Sequence, residues 1–173
     1  VGRLIGLLHD AGKLRKLFDD YINGRNNMRR GSIDHSYAGA KYLKELAKDK
    51  DAEIKIATEG ISHTIISHHG INDWLDEDGN DEFLRRTSKN DDYEEISANI
   101  SKLSSKDKIC EMHSKAADEW LKAVRKLLCK GKKVESAFYV GMLERLIQSA
   151  LIDADRTNTA DFMSGQTTKP EAD

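Results

Sequence analysis

A single proline, Pro170, occurs in the 173 residues, and runs of alternating β-branched residues are nearly absent. With little to break a helix and little to favour a strand, helices must satisfy nearly all of the backbone hydrogen bonding, so the expected fold class is all-α. Cysteine is equally sparse. Cys110 and Cys129 lie 19 positions apart with no CxxC pairing, which excludes a disulfide framework and a thiolate zinc site and leaves two buried, reduced thiols as the expectation. No apolar run approaches the roughly 18 residues that span a bilayer, and no signal-peptide pattern is present, so the expectation is a soluble, cytoplasmic protein with no membrane partner. An excess of one charge is missing too. The 28 basic and 30 acidic residues leave a net charge of −2, so bulk charge gives no reason to bind a polyanion.

What the chain does contain is helical periodicity, over a length that suits one domain with its own core. A first helix is expected over residues 2–12, resuming over 14–21, before the polar loop NGRNNMRRG. Asp34 or Ser36 is placed to cap a helix carrying Tyr37, Ala40, Leu43 and Leu46 at helical spacing. A third helix follows over 52–67 through Ile54, Ala57, Ile61 and Ile65; Gly70 and the acidic DWLDEDGND stretch then break the pattern in a loop suited to a mobile rim. Further helices fit 81–88, 91–103, 106–130 and 134–154, with Gly131 at a helix end. These spans give a domain over 1–155 and a polar tail or linker over 156–173. The opening VGRLIGLLHD is periodic from Val1 onward with neither a capping residue nor an initiating methionine, and a further segment is expected upstream.

The residues able to do chemistry gather at helix ends and beside loops: His9 with Asp10, His35, the adjacent His68 and His69, and Asp153 with Asp155. Imidazole and carboxylate together suit divalent first-row metals. Neighbours on a helix point about 100° apart, so His9 can bind one ion while Asp10 faces inward between two, as a two-metal centre requires. Each piece has a plainer explanation. A lone His-Asp pair is common, His68 and His69 could oppose a helix macrodipole, His35 could cap a helix, and Asp153 or Asp155 could pair with Arg156. Four such explanations would have to hold at once, and the conjunction favours a metal site. His63 and His113 fall outside the pattern and are expected in the core; Trp74 could stack on a nucleobase or anchor its loop to the bundle.

The segments LLHDAGK, DHSYAGAKYL, ISHHGIND and LIDADRTNT, taken in order, resemble the signature segments of the HD superfamily. Their wording is similar to the HD nuclease domain of type I CRISPR-associated helicase-nucleases, over about residues 1–160. HDAGK, DHS and HHG, in place of the HHE of many signalling HD phosphodiesterases, carry most of the likeness. The resemblance implies a helical bundle that binds up to two divalent ions (Mn, Mg, Ni, Co, Fe or Zn) and cuts single-stranded DNA. It implies that Asp10 bridges, that His35, His68 and His69 hold one ion, that His9 and Asp155 hold the other with Asp153 as the fallback, and that Lys13 steadies phosphate charge. The partners implied are a helicase domain, in the same or a separate chain, and a CRISPR guide-RNA surveillance complex. These nucleases also have a histidine several turns upstream of the HD pair, a position this sequence does not represent. Two rival readings stand beside this one: a nucleotide or cyclic-dinucleotide phosphohydrolase of the same superfamily, and a degenerate HD domain that binds without catalysis.

Overall fold

The structure, a computed structural model, describes residues 1–29, 31–70 and 74–165. Among these the chain forms α1 (Gly2–Leu8), a 3-10 turn (Ala11–Lys13), α2 (Lys16–Ile22), α3 (Tyr37–Leu46), α4 (Ala52–Ile66), α5 (Glu82–Thr87), α6 (Tyr93–Leu103), α7 (Lys106–Leu127) and α8 (Lys133–Ser164). The fold is the all-α bundle expected; the described residues contain no strand, only a lone antiparallel bridge between Leu75 and Asp81.

α4 runs through the middle and packs against α1, α3, α5, α7 and α8. A helix enclosed in this way needs small or apolar side chains on every face. Its second half supplies them, with Thr58, Gly60, Ser62 and Thr64 buried among Ala57, Ile61, Ile65 and Ile66. The buried hydroxyl of Thr58 is satisfied by Ile54 O at 2.6 Å and by His113 Nε2 at 2.8 Å, which makes His113 the core histidine expected. Leu4, Ile5 and Leu8 of α1, Tyr37 and Leu43 of α3, Ile96 and Ile100 of α6, and Ile109 and Trp120 of α7 complete the core around it. α3 lies close on α1 because Gly39 has no side chain; a Cβ there would stand 2.1 Å from Leu8 O.

Several boundaries differ from expectation for local reasons. The first helix ends at Leu8 rather than continuing to residue 12: His9 and Asp10 turn, and Lys13 N donates to Asp10 O at 2.9 Å in the tighter 3-10 pattern. Ser36 sits at the start of α3 without a side-chain cap; Asp34 Oδ1 instead accepts from Ser36 N at 3.2 Å. α7 stops at Leu127 instead of 130, and Gly131 takes the left-handed φ of 75° in the turn before α8. α8 does not end near residue 155. No glycine or proline interrupts 142–164, so polar composition alone does not stop the helix, and Gly165 ends it at φ 70°.

The rest of the expected tail, 166–173, lies outside the described residues, as do Ile71, Asn72 and Asp73 of the acidic loop and Arg30 of the polar loop. Cys110 is exposed, contrary to the expectation of burial, because the inward stripe of α7 runs through Ile109, His113, Ala116 and Trp120 and position 110 points off it. Cys129 is half-buried, and both thiols are free.

Candidate metal centre

Four segments converge where α1 ends. The turn after α1 supplies His9 and Asp10, the loop before α3 supplies His35, the turn after α4 supplies His68 and His69, and α8 supplies Asp155. Their ligand atoms form two groups, Asp10 with His35, His68 and His69, and His9 with Asp10 and Asp155; within each group the atoms lie within 4.8 Å of one another. Asp10 belongs to both. Its Oδ1 faces His35 Nε2 at 3.6 Å and His68 Nε2 at 3.7 Å, while its Oδ2 faces His9 Nε2 at 3.4 Å. His9 Nε2 in turn lies 3.5 Å from Asp155 Oδ1. His35 Nε2 and His69 Nε2 are 2.5 Å apart, and the rings of His68 and His69 lie with centroids 3.9 Å apart. Asp153 is exposed and belongs to neither group. Residues two apart on a helix point about 200° apart, so α8 can turn only one of the two aspartates inward.

The backbone decides which nitrogen each ring offers. His9 Nδ1 meets Gly6 O at 2.9 Å, His35 Nδ1 meets Ile33 O at 3.1 Å, and His68 Nδ1 meets Ile65 O at 2.6 Å. A carbonyl oxygen only accepts, so Nδ1 is the protonated nitrogen of each neutral ring and the Nε2 lone pair faces the cluster. Gly12 makes this arrangement possible, since a Cβ there would stand 2.2 Å from His35 O.

The electrostatics match at Asp10, His35 and His69, and run the other way at His9. Burial opposes charge on Asp10, but the imidazoles of His68 and His9 and the ammonium of Lys13, whose Nζ donates to Asp10 Oδ2 at 2.6 Å, outweigh it and hold the carboxyl far below the usual carboxylate range. Asp10 also pulls His9 upward. Burial lowers His35, and burial together with its two imidazole neighbours lowers His69 to about 4. Ionised carboxylates and neutral imidazoles are the forms that bind metal. His9 Nε2, Asp10 Oδ1 and His68 Nε2 are buried with no hydrogen-bond partner among the described residues. Buried polar atoms left unpaired cost free energy, and a cation shared among them is the partner their chemistry fits.

Other residues hold the site, and little in the sequence pattern marks them. Arg15 Nη2 donates to Asp34 O at 2.9 Å, and the Asp34 carboxylate pairs with Arg86 at 3.1 Å and with Lys89, so the aspartate of DHS braces the turn that carries His35. On α8, Gln148 Nε2 donates to Ser67 O at 2.6 Å, beside His68. Trp74 stacks on His63, centroids 4.7 Å apart, and its Nε1 donates to the buried Glu144 at 3.0 Å. Trp74 is thus a loop anchor. Burial raises Glu144 to about 7. The signal for Glu144 and Gln148 was their spacing from Asp155, because positions 144, 148, 151 and 155 share one face of a helix. The pairing of Asp34 with Arg86 joins distant segments and leaves no local trace.

The sequence model of the HD domain matches residues 2–127, and the chain belongs to that family, a superfamily of metal-dependent phosphohydrolases that bind divalent ions. No curated protein and no solved structure matches the chain significantly. No helix among the described residues is long and apolar enough to cross a membrane.

Proposed function

We propose that this chain, as a member of the HD domain family, is a metal-dependent nuclease that cuts single-stranded DNA in CRISPR interference, working with a helicase domain and a guide-RNA surveillance complex. The wording of its HDAGK, DHS and HHG segments supports the choice of nuclease within the superfamily. The observation that carries the reading is the placement of Asp10, one carboxylate with an oxygen toward each ligand group. In the proposed assignment His35, His68 and His69 hold one ion, His9 and Asp155 the other, and Asp10 both. Divalent ions held there supply charge neutralisation at a phosphodiester and an activated water.

The chain's own residues prepare the site for that chemistry. Hydrogen bonds to backbone carbonyls keep three imidazoles aimed through Nε2, so little reorganisation accompanies the reaction. Lys13 stands beside Asp10 and lines the neighbouring cleft, where its ammonium offsets phosphate charge. A near-neutral chain contributes little non-specific affinity for a strand, which fits delivery of the strand by a partner.

The test is to incubate the protein with Mn²⁺ and, separately, a single-stranded oligonucleotide, a deoxynucleoside triphosphate and a cyclic dinucleotide. Cutting of the oligonucleotide alone is the expected result. Faster turnover of either small substrate would make it a nucleotide phosphohydrolase, and metal binding with no turnover would make it a binding domain.

A further inference from the structure

A cleft of about 700 Å³ opens from the metal-binding cluster on the side of His35 and His69. Its two ends differ in chemistry. The inner end carries Lys13 and the two imidazoles, and the outer wall carries Phe18, Tyr21, Ile22 and Ile33. Phe18 and Tyr21 sit one helical turn apart on α2 with ring centroids 6.0 Å apart, and the Phe18 ring meets the His35 ring edge-on at 5.8 Å. The aromatic wall is therefore continuous with the ligand cluster. Lys13 Nζ, which gives one of its three donors to Asp10, lies 5.8 Å from the Phe18 centroid, where the apolar and polar ends join. The one carboxylate on the lining, Asp34, is already paired with Arg86 and Lys89, so it does not repel an anion strongly.

Apart from Ile33, which is buried, the wall is not needed by the core. No residue of α2 is buried, Phe18 and Tyr21 are only half-covered, and Ile22 remains 66% exposed. A helix that turns two aromatics and an isoleucine onto an open cleft, and packs none of them fully, presents apolar surface to a ligand. That ligand must have a flat apolar part to lie on the wall and an anionic part to reach Lys13 and the imidazoles. A nucleotide unit has both, whereas a sugar phosphate or a phosphorylated peptide side chain of serine has no π-face to offer.

We propose that this cleft is a nucleobase subsite, in which a base of the bound strand lies against Tyr21 and Phe18 while its phosphate lies toward Lys13, His35 and His69. The inference rests on the nuclease reading for its substrate, but its contacts do not require cleavage. Stacking tolerates any base, so the subsite gives affinity without sequence preference.

The test compares a fluorescein-labelled thymidine hexamer with an abasic hexamer of the same backbone, read by anisotropy with metal removed by chelator so that nothing is cut. The wild-type chain should bind the base-bearing strand at least about fivefold more tightly. Tyr21→Ala and Phe18→Ala should each reduce that preference; Tyr21→Ala, which does not touch the ligand cluster, should leave abasic-strand affinity and calorimetric Mn²⁺ affinity unchanged, while Tyr21→Phe keeps the preference. Equal wild-type affinity for the two strands, no measurable binding of either, or variants that weaken both strands alike would overturn the subsite. Cleavage in Mn²⁺ is scored separately: a base preference that holds in a protein that cuts nothing removes the nuclease reading and keeps the subsite.

Discussion

The two ligand groups share a carboxylate but are held by different parts of the chain. His35 and His68 sit on short segments pressed against the core, each ring fixed by a backbone carbonyl, with Gly12 letting the backbone of His35 approach. Asp155 sits on α8, its side chain 39% exposed, on a helix whose two ends carry Val134 and Phe162 in the open at 81% and 82%. Each group has one member open to solvent, His69 in the first and Asp155 in the second, but the first offers a cation four ligand residues and the second three. With four ligands against three, the group of Asp10, His35, His68 and His69 should bind its ion more tightly than the group of His9, Asp10 and Asp155.

The largest effect should come where the groups meet. Asp10→Ala removes a ligand from both and should lower single-stranded DNA cleavage in Mn²⁺ by on the order of a thousandfold or more, read in single turnover. Next, Asp155→Ala should slow cleavage by on the order of a hundredfold, because it strips only the looser group, while the exposed Asp153→Ala changes little. Equal losses from the two aspartates would erase the distinction drawn for α8.

Gly12→Ala tests the tighter group. Its Cβ would stand 2.2 Å from His35 O, so the backbone must yield, at a cost of about 1 to 3 kcal/mol in thermal or denaturant unfolding. Metal affinity should fall mainly at the His35 group. The smallest effect concerns the tether between α8 and the loop after His69. The Glu144 carboxyl is raised from 4.5 to about 7 by burial, so the folded chain keeps a proton that the unfolded chain releases. Its stability is full below pH 4.5 and declines as the pH rises to about 7. Glu144→Gln has no such proton to lose. It should match the wild type in melting temperature at pH 4.5 and exceed it at pH 8.

The residues that meet were legible because they stand as adjacent pairs and triplets at the ends of periodic segments: HDAGK after α1, DHS before α3 and HHG after α4. What the sequence did not reveal depends on contacts between distant segments. The turn after Leu8 brings Gly12 against His35, 23 positions further on in the chain. The bracing of Asp34 by Arg86 and of Ser67 by Gln148 joins segments with no shared periodicity. The extension of α8 to Ser164 runs through the polar tail or linker expected there, because a helix that meets no glycine or proline can continue through polar residues.

Whether Asp10 is shared by two cation sites of unequal strength is decided by counting Mn²⁺ with titration calorimetry. The wild-type chain should take up two ions per molecule with separable affinities, Asp155→Ala should keep the tighter one alone, and Asp10→Ala should weaken both. A single site in the wild type, or two undiminished sites in Asp155→Ala, would contradict the account.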